Sequence, residues 1–375
     1  MSKEWELLAG RLEGCLMGVS GGVDGLEPWK EKAFQGVAQE VFGWQFELCD
    51  PYRSFCERRG VTPSSVSDWR EIPAVPTTAF KYFDLVSSPY TSISRKPDAA
   101  FYTSGTTLGS ERRGCHFVPR ESLYRAAFHE PFRQALLPDV NKIRVISLIP
   151  SPVAASHSSL SWMVGMAVDA FADEVDWLIQ ANGEWARDAF DVLRAASEEE
   201  APVLVLGTAL AFLHLKEAGD EPSVTLPANS RAMVTGGFKG VRRAIGRSEL
   251  YSTITDCTGI DRNMIVNEYG MTELLSQMYE PVLTEGIKAA RRLAAPPWLS
   301  VRVLDPATLE DKPEGERGII SFFDLANLGS VSHVLTEDLG ALEDGRLTVF
   351  GRVPGSEPRG CSRAMDDLMA GGGRL

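Results

Sequence analysis

The sequence predicts an α/β protein whose large domain is a mostly parallel sheet flanked by helices, followed by a β-rich subdomain. Two observations carry this. Short apolar runs bounded by turns recur at 143-IRVISLI-149, 203-VLVLG-207, 232-AMVTGG-237 and 264-MIVN-267, and segments of helical period such as 209-ALAFLHLKEAG-219 and 240-GVRRAIGRSELYSTI-254 follow them. Strands alternating with helices imply parallel pairing with helices covering the sheet. From Trp298 the helical period stops, and 299-LSVRVLD-305, 318-GIISFFD-324, 332-SHVLTED-338 and 346-RLTVFG-351 read as strands joined by short turns.

Taken in order, the chain divides into an N-terminal helical region at 1–100, a core at 101–350 and a short C-terminal segment at 351–375. The first region is helix and loop, with the proline-marked segment 72-IPAVPTTAFKYFDL-85 near its end. A glycine-bearing stretch, 20-SGGVDG-25, lies within it. It resembles the pyrophosphate-binding loop of the ATP pyrophosphatases, but a helix containing Glu13 precedes it, where that loop needs a buried strand. A turn between two helices is the reading we carry. The apolar run 160-LSWMVGMAV-168 suits either a core helix or the wall of an acyl tunnel, and His157 before it either lines such a site or is an ordinary loop histidine.

Composition narrows the function. The 375 residues are 44% hydrophobic and 24% charged, within the range of globular chains. A net charge of -13 argues against nonspecific nucleic-acid binding, which needs lysine and arginine facing phosphates. No apolar run reaches the ~18 residues of a membrane span. Six cysteines without C-x-x-C spacing predict free thiols in a reducing cytoplasm.

The stretch 101-FYTSGTTLGS-110 poses the central question. Hydroxyls without partners are costly to bury, so it belongs at the surface. There it is either a plain turn or a cradle whose amides and hydroxyls converge on an anion. P-loop spacing is absent, since no lysine follows the second glycine. In open α/β sheets ligands bind beyond the carboxyl ends of the strands, where 235-TGGFKG-240 and 267-NEYGMTE-273 are also predicted to lie.

Thr103–Thr107 (TSGTT), 269-YGMTE-273, 336-TEDLG-340 and the Gly351–Arg352 pair stand in the order found in the adenylate-forming superfamily of acyl and aryl ligases. Within it the chain most resembles the acyl-protein synthetases typified by LuxE. Four features carry that likeness: 72-IPAVPTTAFK-81, Ser110 where the superfamily has proline, 235-TGGFKG-240, and 351-GRVPGSEPRGCS-362. The resemblance implies an adenylate-forming fold and a ligase that uses ATP and Mg2+ to activate a carboxylic acid, here a fatty acid. It also implies a partner protein, such as an acyl reductase, that receives the acyl group.

Residue by residue, the resemblance gives the phosphates to Thr103, Ser104, Gly105, Thr106 and Thr107, with Gly236 and Gly237 in a second glycine loop. It stacks Tyr269 on adenine beside Gly270, sets Thr272 at the α-phosphate and gives Mg2+ to Glu273. Asp338 and Arg352 meet the ribose, and Cys361 is the acyl acceptor. Cys361 lies between two arginines in 359-RGCSR-363, which favours the thiolate. Cys115, beside Arg113 and His116, is the reserve nucleophile.

Two departures stand out. The sequence ends before the domain whose lysine contacts the reacting carboxylate in full-length superfamily members, and no lysine follows Lys312. Lys239 is the first candidate for the missing cation and Arg359 the second, although Lys239 is equally readable as a surface residue. The segment 108-LGSERR-113 replaces a glycine-proline-lysine pattern, leaving Arg112 or Arg113 as further cations. Alternatives are a ligase acting on coenzyme A or an amine, and an inactive scaffold subunit.

Overall fold

A computed structural model describes residues 2–18, 31–89, 98–103, 113–217, 224–236, 246–286, 291–352 and 359–369, the side chains of 2 and 359–363 excepted. In chain order the elements are α1 (Ser2–Leu16), α2 (Glu31–Leu48), α3 (Asp50–Arg58), β1 (Val75–Pro76), β2 (Ala99–Tyr102), β3 (Cys115–Val118) and α4 (Glu121–Leu136). Then come β4 (Ile143–Leu148), α5 (Ser159–Phe171), β5 (Ala172–Trp177), α6 (Ala189–Glu198), β6 (Val203–Thr208), α7 (Ala209–Glu217), β7 (Arg231–Thr235) and α8 (Arg247–Thr258). The remainder is β8 (Ile265–Tyr269), β9 (Met278–Tyr279), α9 (Val282–Glu285), β10 (Leu299–Leu304), β11 (Gly318–Asp324), β12 (His333–Glu343), β13 (Arg346–Arg352) and α10 (Arg359–Met369).

Two compact bodies result. One comprises Met1–Phe128, Met271–Gln277 and Ala294–Leu375; the other comprises His129–Gly270 and Met278–Leu293. The division falls inside the YGMTE motif, between Gly270 and Met271.

The first body is built on a five-stranded sheet in the order β1-β12-β11-β10 with β13 beside β12. Its pairs are antiparallel apart from β1, which runs parallel to β12. Helix α2 covers this body with a stripe of Phe34, Ala38, Val41, Phe42 and Gln45, the spacing of one helical face. Gln45 is the polar member of that stripe. Its amide nitrogen donates to the Asn327 carbonyl (3.0 Å) and to Ser332 Oγ (2.9 Å), and its oxygen accepts the Ser332 N–H (3.1 Å), so its burial leaves none of these groups unpaired. Phe34, Trp69 and Phe323 meet edge to face, with ring centroids 5.3–5.9 Å apart.

The second body holds a six-stranded sheet in the order β5-β4-β6-β7-β8-β9. The pairs from β5 to β8 are parallel, and β9 alone is antiparallel. The strands β6 and β7 are buried almost throughout, the condition under which a strand reads as a continuous apolar run. Of the predicted run 264–267, Met264 ends a short 3-10 turn and the strand starts at Ile265, continuing through Glu268 and Tyr269. Strand β5 has no apolar signature because ADEVDW is an edge strand with Asp173 and Glu174 exposed. The run 160–168 lies in α5, with Met163, Val164, Met166 and Ala167 buried as a core helix requires. Among the described residues no helix is long and apolar enough to cross a membrane.

Candidate functional site

The TSGTT stretch leaves the end of β2 and its chain returns in β3, so the candidate phosphate loop is carried by an antiparallel hairpin. Its neck is closed on both sides: the Thr103 N–H donates to the Gly114 carbonyl (2.9 Å), and the Gly114 N–H donates to Thr103 Oγ1 (2.9 Å). Arg113 straps the same place, donating from Nε to the Thr103 carbonyl (2.6 Å) and from Nη2 to the Tyr102 carbonyl (3.1 Å). A side chain at Gly114 would press on Thr103 and Phe80, its Cβ 3.1 Å from Thr103 Cγ2. Thr103 and Arg113 thus hold the loop's base. Ser104, Gly105, Thr106, Thr107, Ser110 and Arg112 lie outside the described residues, as do 20-SGGVDG-25, Gly237 and Lys239.

The segment Met271–Gln277 of the same body is held by three carbonyl or carboxylate contacts from distant sequence. Asp324 Oδ2 accepts the N–H groups of Leu275 (3.0 Å) and Ser276 (2.9 Å), and Oδ1 accepts the Ser276 hydroxyl (2.8 Å) and the Ala326 N–H (3.0 Å). The indole N–H of Trp298 donates to Ser276 Oγ (3.0 Å), which directs the serine proton to the carboxylate. Burial pushes the Asp324 pKa above the usual carboxylate range, while the Ser276, Ala326 and Leu275 donors pull against it. Asn327 donates to the carbonyl of Glu273 (2.8 Å), whose residue is itself buried.

His116 makes the third contact. Its Nδ1 stands 2.7 Å from the Thr272 carbonyl, and since a carbonyl can only accept, Nδ1 carries the proton. Burial lowers its pKa to about 4, so the ring is neutral at physiological pH. The hairpin that carries the candidate phosphate loop is therefore bonded directly to the YGMTE segment, 156 residues away in sequence.

Asp338 and Arg352 are also brought together. They face each other across the β12–β13 ladder, and Arg352 Nε donates to Asp338 Oδ1 (3.3 Å), with Glu337 within 3.5 Å of the same guanidinium. Gly351, at φ +99°, supplies the bend beside a register shift at Leu339/Gly340.

In the second body Gly236 and Tyr269–Gly270 lie at the carboxyl ends of the adjacent parallel strands β7 and β8, as the sequence predicts. Gly236 has φ +75°, and a Cβ there would meet nothing within 4 Å, so the glycine is required by backbone conformation. Sequence reasoning missed Glu268. It is buried one strand position before Tyr269 and accepts a hydrogen bond from the Thr235 hydroxyl across the ladder. Burial raises its pKa to about 7, against which the Thr235 bond acts. A glutamate following the apolar pair Ile265–Val266 was the available signal. His157 lies exposed in the loop before α5.

The cysteines separate by environment. Burial pushes Cys49 and Cys56 up to about 12, and it raises Cys257 as well. Cys115, the reserve nucleophile, is pushed up to about 11 by burial and by nearby Asp84, which disfavours a thiolate near neutral pH. Cys361 stands in the first turn of α10, whose backbone is helical from Arg359 to Met369. Among the described residues no group of three or more His, Cys, Asp or Glu could hold a metal ion.

The sequence matches the family described as acyl-protein synthetase, LuxE, over residues 26–370. The chain belongs to this family. It is a ligase of the acyl-protein synthetase class, as the motif order implies. It is 20% identical over 348 residues to a long-chain-fatty-acid–luciferin-component ligase of Aliivibrio fischeri, covering 89% of this chain and 88% of that one. The ligase of the same description from Vibrio harveyi is 23% identical over 355 residues, covering 88% and 86%. Among solved structures, an open conformation of 2-hydroxyisobutyryl-CoA ligase in complex with 2-HIB-AMP and CoA superposes with a TM-score of 0.66. At 16% identity, over 86% of this chain and 70% of that one, that likeness establishes the adenylate-forming fold.

Two predictions follow from these contacts. Asp324→Asn places an amide NH2 where two oxygens now accept four donors, and it should cost about 3 kcal/mol; chemical denaturation checks this, and an unchanged midpoint would remove Asp324 as the anchor. Glu268 holds its proton in the folded state up to about pH 7, whereas an ordinary glutamate releases it near 4.5. Stability should therefore fall as pH rises between those values and level off above them. Urea titrations across that range should show a smaller fall in Glu268→Gln than in the parent chain, and an identical pH dependence in the two would contradict the raised pKa.

Proposed function

We propose that this acyl-protein synthetase uses ATP and Mg2+ to convert a long-chain fatty acid to its acyl adenylate, carries the acyl group as a thioester on Cys361, and passes it to an acceptor protein such as an acyl reductase. The observation that carries the reading is the His116–Thr272 bond, because within one body it joins the hairpin that carries the first motif to the Met271–Glu273 part of the second. The likeness to long-chain fatty-acid ligases over nearly the full length supports the substrate class.

In the activation step a carboxylate oxygen attacks the α-phosphorus of ATP; the new O–P bond forms as the bond to the bridging oxygen breaks and pyrophosphate leaves. The protein's work is positioning and charge neutralisation. Thr103 at the hairpin neck, with Ser104, Gly105, Thr106 and Thr107, cradles the β- and γ-phosphates. Tyr269 with Gly270 takes the adenine, Thr272 the α-phosphate, and Asp338 with Arg352 the ribose. Gly236 and Gly237 allow the backbone to approach, and Lys239 is the cation assigned to the reacting carboxylate.

Mg2+ requires few protein ligands when phosphate oxygens complete its shell, so a single carboxylate suffices. Glu273, with its backbone fixed by Asn327, fits that role. The ion would supply neutralisation of phosphate charge.

Cys361 is the acceptor by the same logic of charge. The first turn of a helix favours an anion, hence a thiolate, whereas burial raises the pKa of Cys49, Cys56, Cys115 and Cys257. Fatty acids added with ATP and Mg2+ should drive exchange of labelled pyrophosphate into ATP. Cys361→Ser should retain that exchange and lose stable acylation of the protein. No exchange with any carboxylic acid would refute activation, and equal loss of both in the variant would remove Cys361 as acceptor.

A further inference from the structure

The segment 72-IPAVPTTAFK-81 carries part of the likeness to the acyl-protein synthetases, yet none of its residues enters the chemistry above. Its structure gives it a task. Val75 and Pro76 pair with Val334 and Leu335 of β12, the strand that carries Asp338. In the turn that follows, Phe80 is buried and meets the His116 ring edge to face at 5.6 Å. A Cβ on Gly114 at the hairpin neck would also lie 3.4 Å from Phe80 Cβ. The other side of the same turn supports α10, with Thr78 Oγ1 3.7 Å from Met365 Sδ.

Helix α10 is seated along one face. Ala364, Met365 and Leu368 are buried at the spacing of a single helical stripe, and the helix packs against α3, β1, β12 and the turn at 77–81. Two arginines of α3 and its C-terminal end secure the far end. Arg59 Nη2 pairs with Asp367 Oδ2 at 2.8 Å, and Arg58 Nη2 donates to the Leu368 carbonyl at 3.4 Å, meeting a C-terminal carbonyl of α10. All of these contacts lie in the first body, with the phosphate hairpin and the Thr272 segment.

We propose that α10 is a docked carrier: Arg59, Asp367 and Met365 are positioning residues that fix the helix bearing Cys361 on the turn at 77–81 for the acyl-transfer step. This rests on the activation reading above. In that step the Cys361 thiolate attacks the carbonyl carbon of the acyl adenylate; the C–S bond forms, the bond from that carbon to the phosphate oxygen breaks, AMP leaves with the electron pair, and the thiol proton has gone to solvent. Orientation of the nucleophile is where the seat acts, because a misplaced attacking group loses rate without any change in its chemistry. The contacts of the three residues are with α3, its C-terminal end and the turn at 77–81, and none of the three is assigned to the nucleotide or the acyl group, so activation should proceed without them.

The test separates the two steps in the full chain with a fatty acid, ATP and Mg2+. Pyrophosphate exchange reads activation, and the single-turnover rate of acyl-Cys361 formation reads transfer. Arg59→Glu and Asp367→Arg should each slow transfer about fivefold with exchange unchanged, and the double reversal should restore it. Met365→Asp, which puts a carboxylate into the buried seat, should abolish transfer and leave exchange intact. Transfer unchanged or faster in Met365→Asp would show an untethered arm and overturn the proposal, as would a double reversal as slow as either single change. Absence of exchange in the unsubstituted chain would overturn the activation reading instead. Docking is then read from alkylation of Cys361 by iodoacetamide: acceleration in Met365→Asp supports the seat, and an unchanged rate refutes it.

Discussion

The carboxylate of Asp324, buried at the end of β11, gathers donors from Leu275, Ser276 and Ala326 and so fixes the segment that follows the YGMTE motif. A buried carboxylate with fewer partners would be expensive, and one with four has its desolvation offset by bonds that hold only one arrangement of the chain. Asn327 then fixes the Glu273 carbonyl and His116 the Thr272 carbonyl. The backbone of the motif residues proposed to meet phosphate and metal is thus held by contacts made from elsewhere in the sequence.

The strands of the parallel sheet were legible because their burial on both faces makes them uniformly apolar, as 203-VLVLG-207 demonstrates. Strand β5 was illegible for the converse reason: an edge strand keeps polar residues, and ADEVDW has no alternation to find. The hairpin of β2 and β3 was hidden by its length, since four residues on either side of a loop give too short a pattern. In the site, residue types and motif order pointed to the chemistry, and the Asp338–Arg352 pairing was implicit in their shared role. The supports of the motifs were not readable, because Asp324, Asn327 and His116 act across 48 to 156 residues of sequence. Glu268 carried no signal of its own, because a glutamate at a strand end reads as a solvated charge until the cross-strand Thr235 contact is known.

The same physics sorts the cysteines. Desolvation penalises the thiolate at four of the described sites, Cys49 at the start of α3 included, whereas the backbone of Cys361 lies in the first turn of α10. The segment at 72–81 joins the seat of the Cys361 helix to the β2–β3 hairpin through Thr78 and Phe80. Transfer of the acyl group to another protein, as proposed, needs a defined carrier as well as a defined activating site.

The central claim, that activation by one set of loops ends as a thioester on the C-terminal helix, is tested most directly by intact-mass measurement. The full chain would be incubated with ATP, Mg2+ and a long-chain fatty acid, then digested and mapped. The account predicts a mass gain equal to the fatty acid less water, located on the peptide containing Cys361 and removed by hydroxylamine at neutral pH. A gain on any other residue, or ATP consumed with no covalent gain, would contradict it.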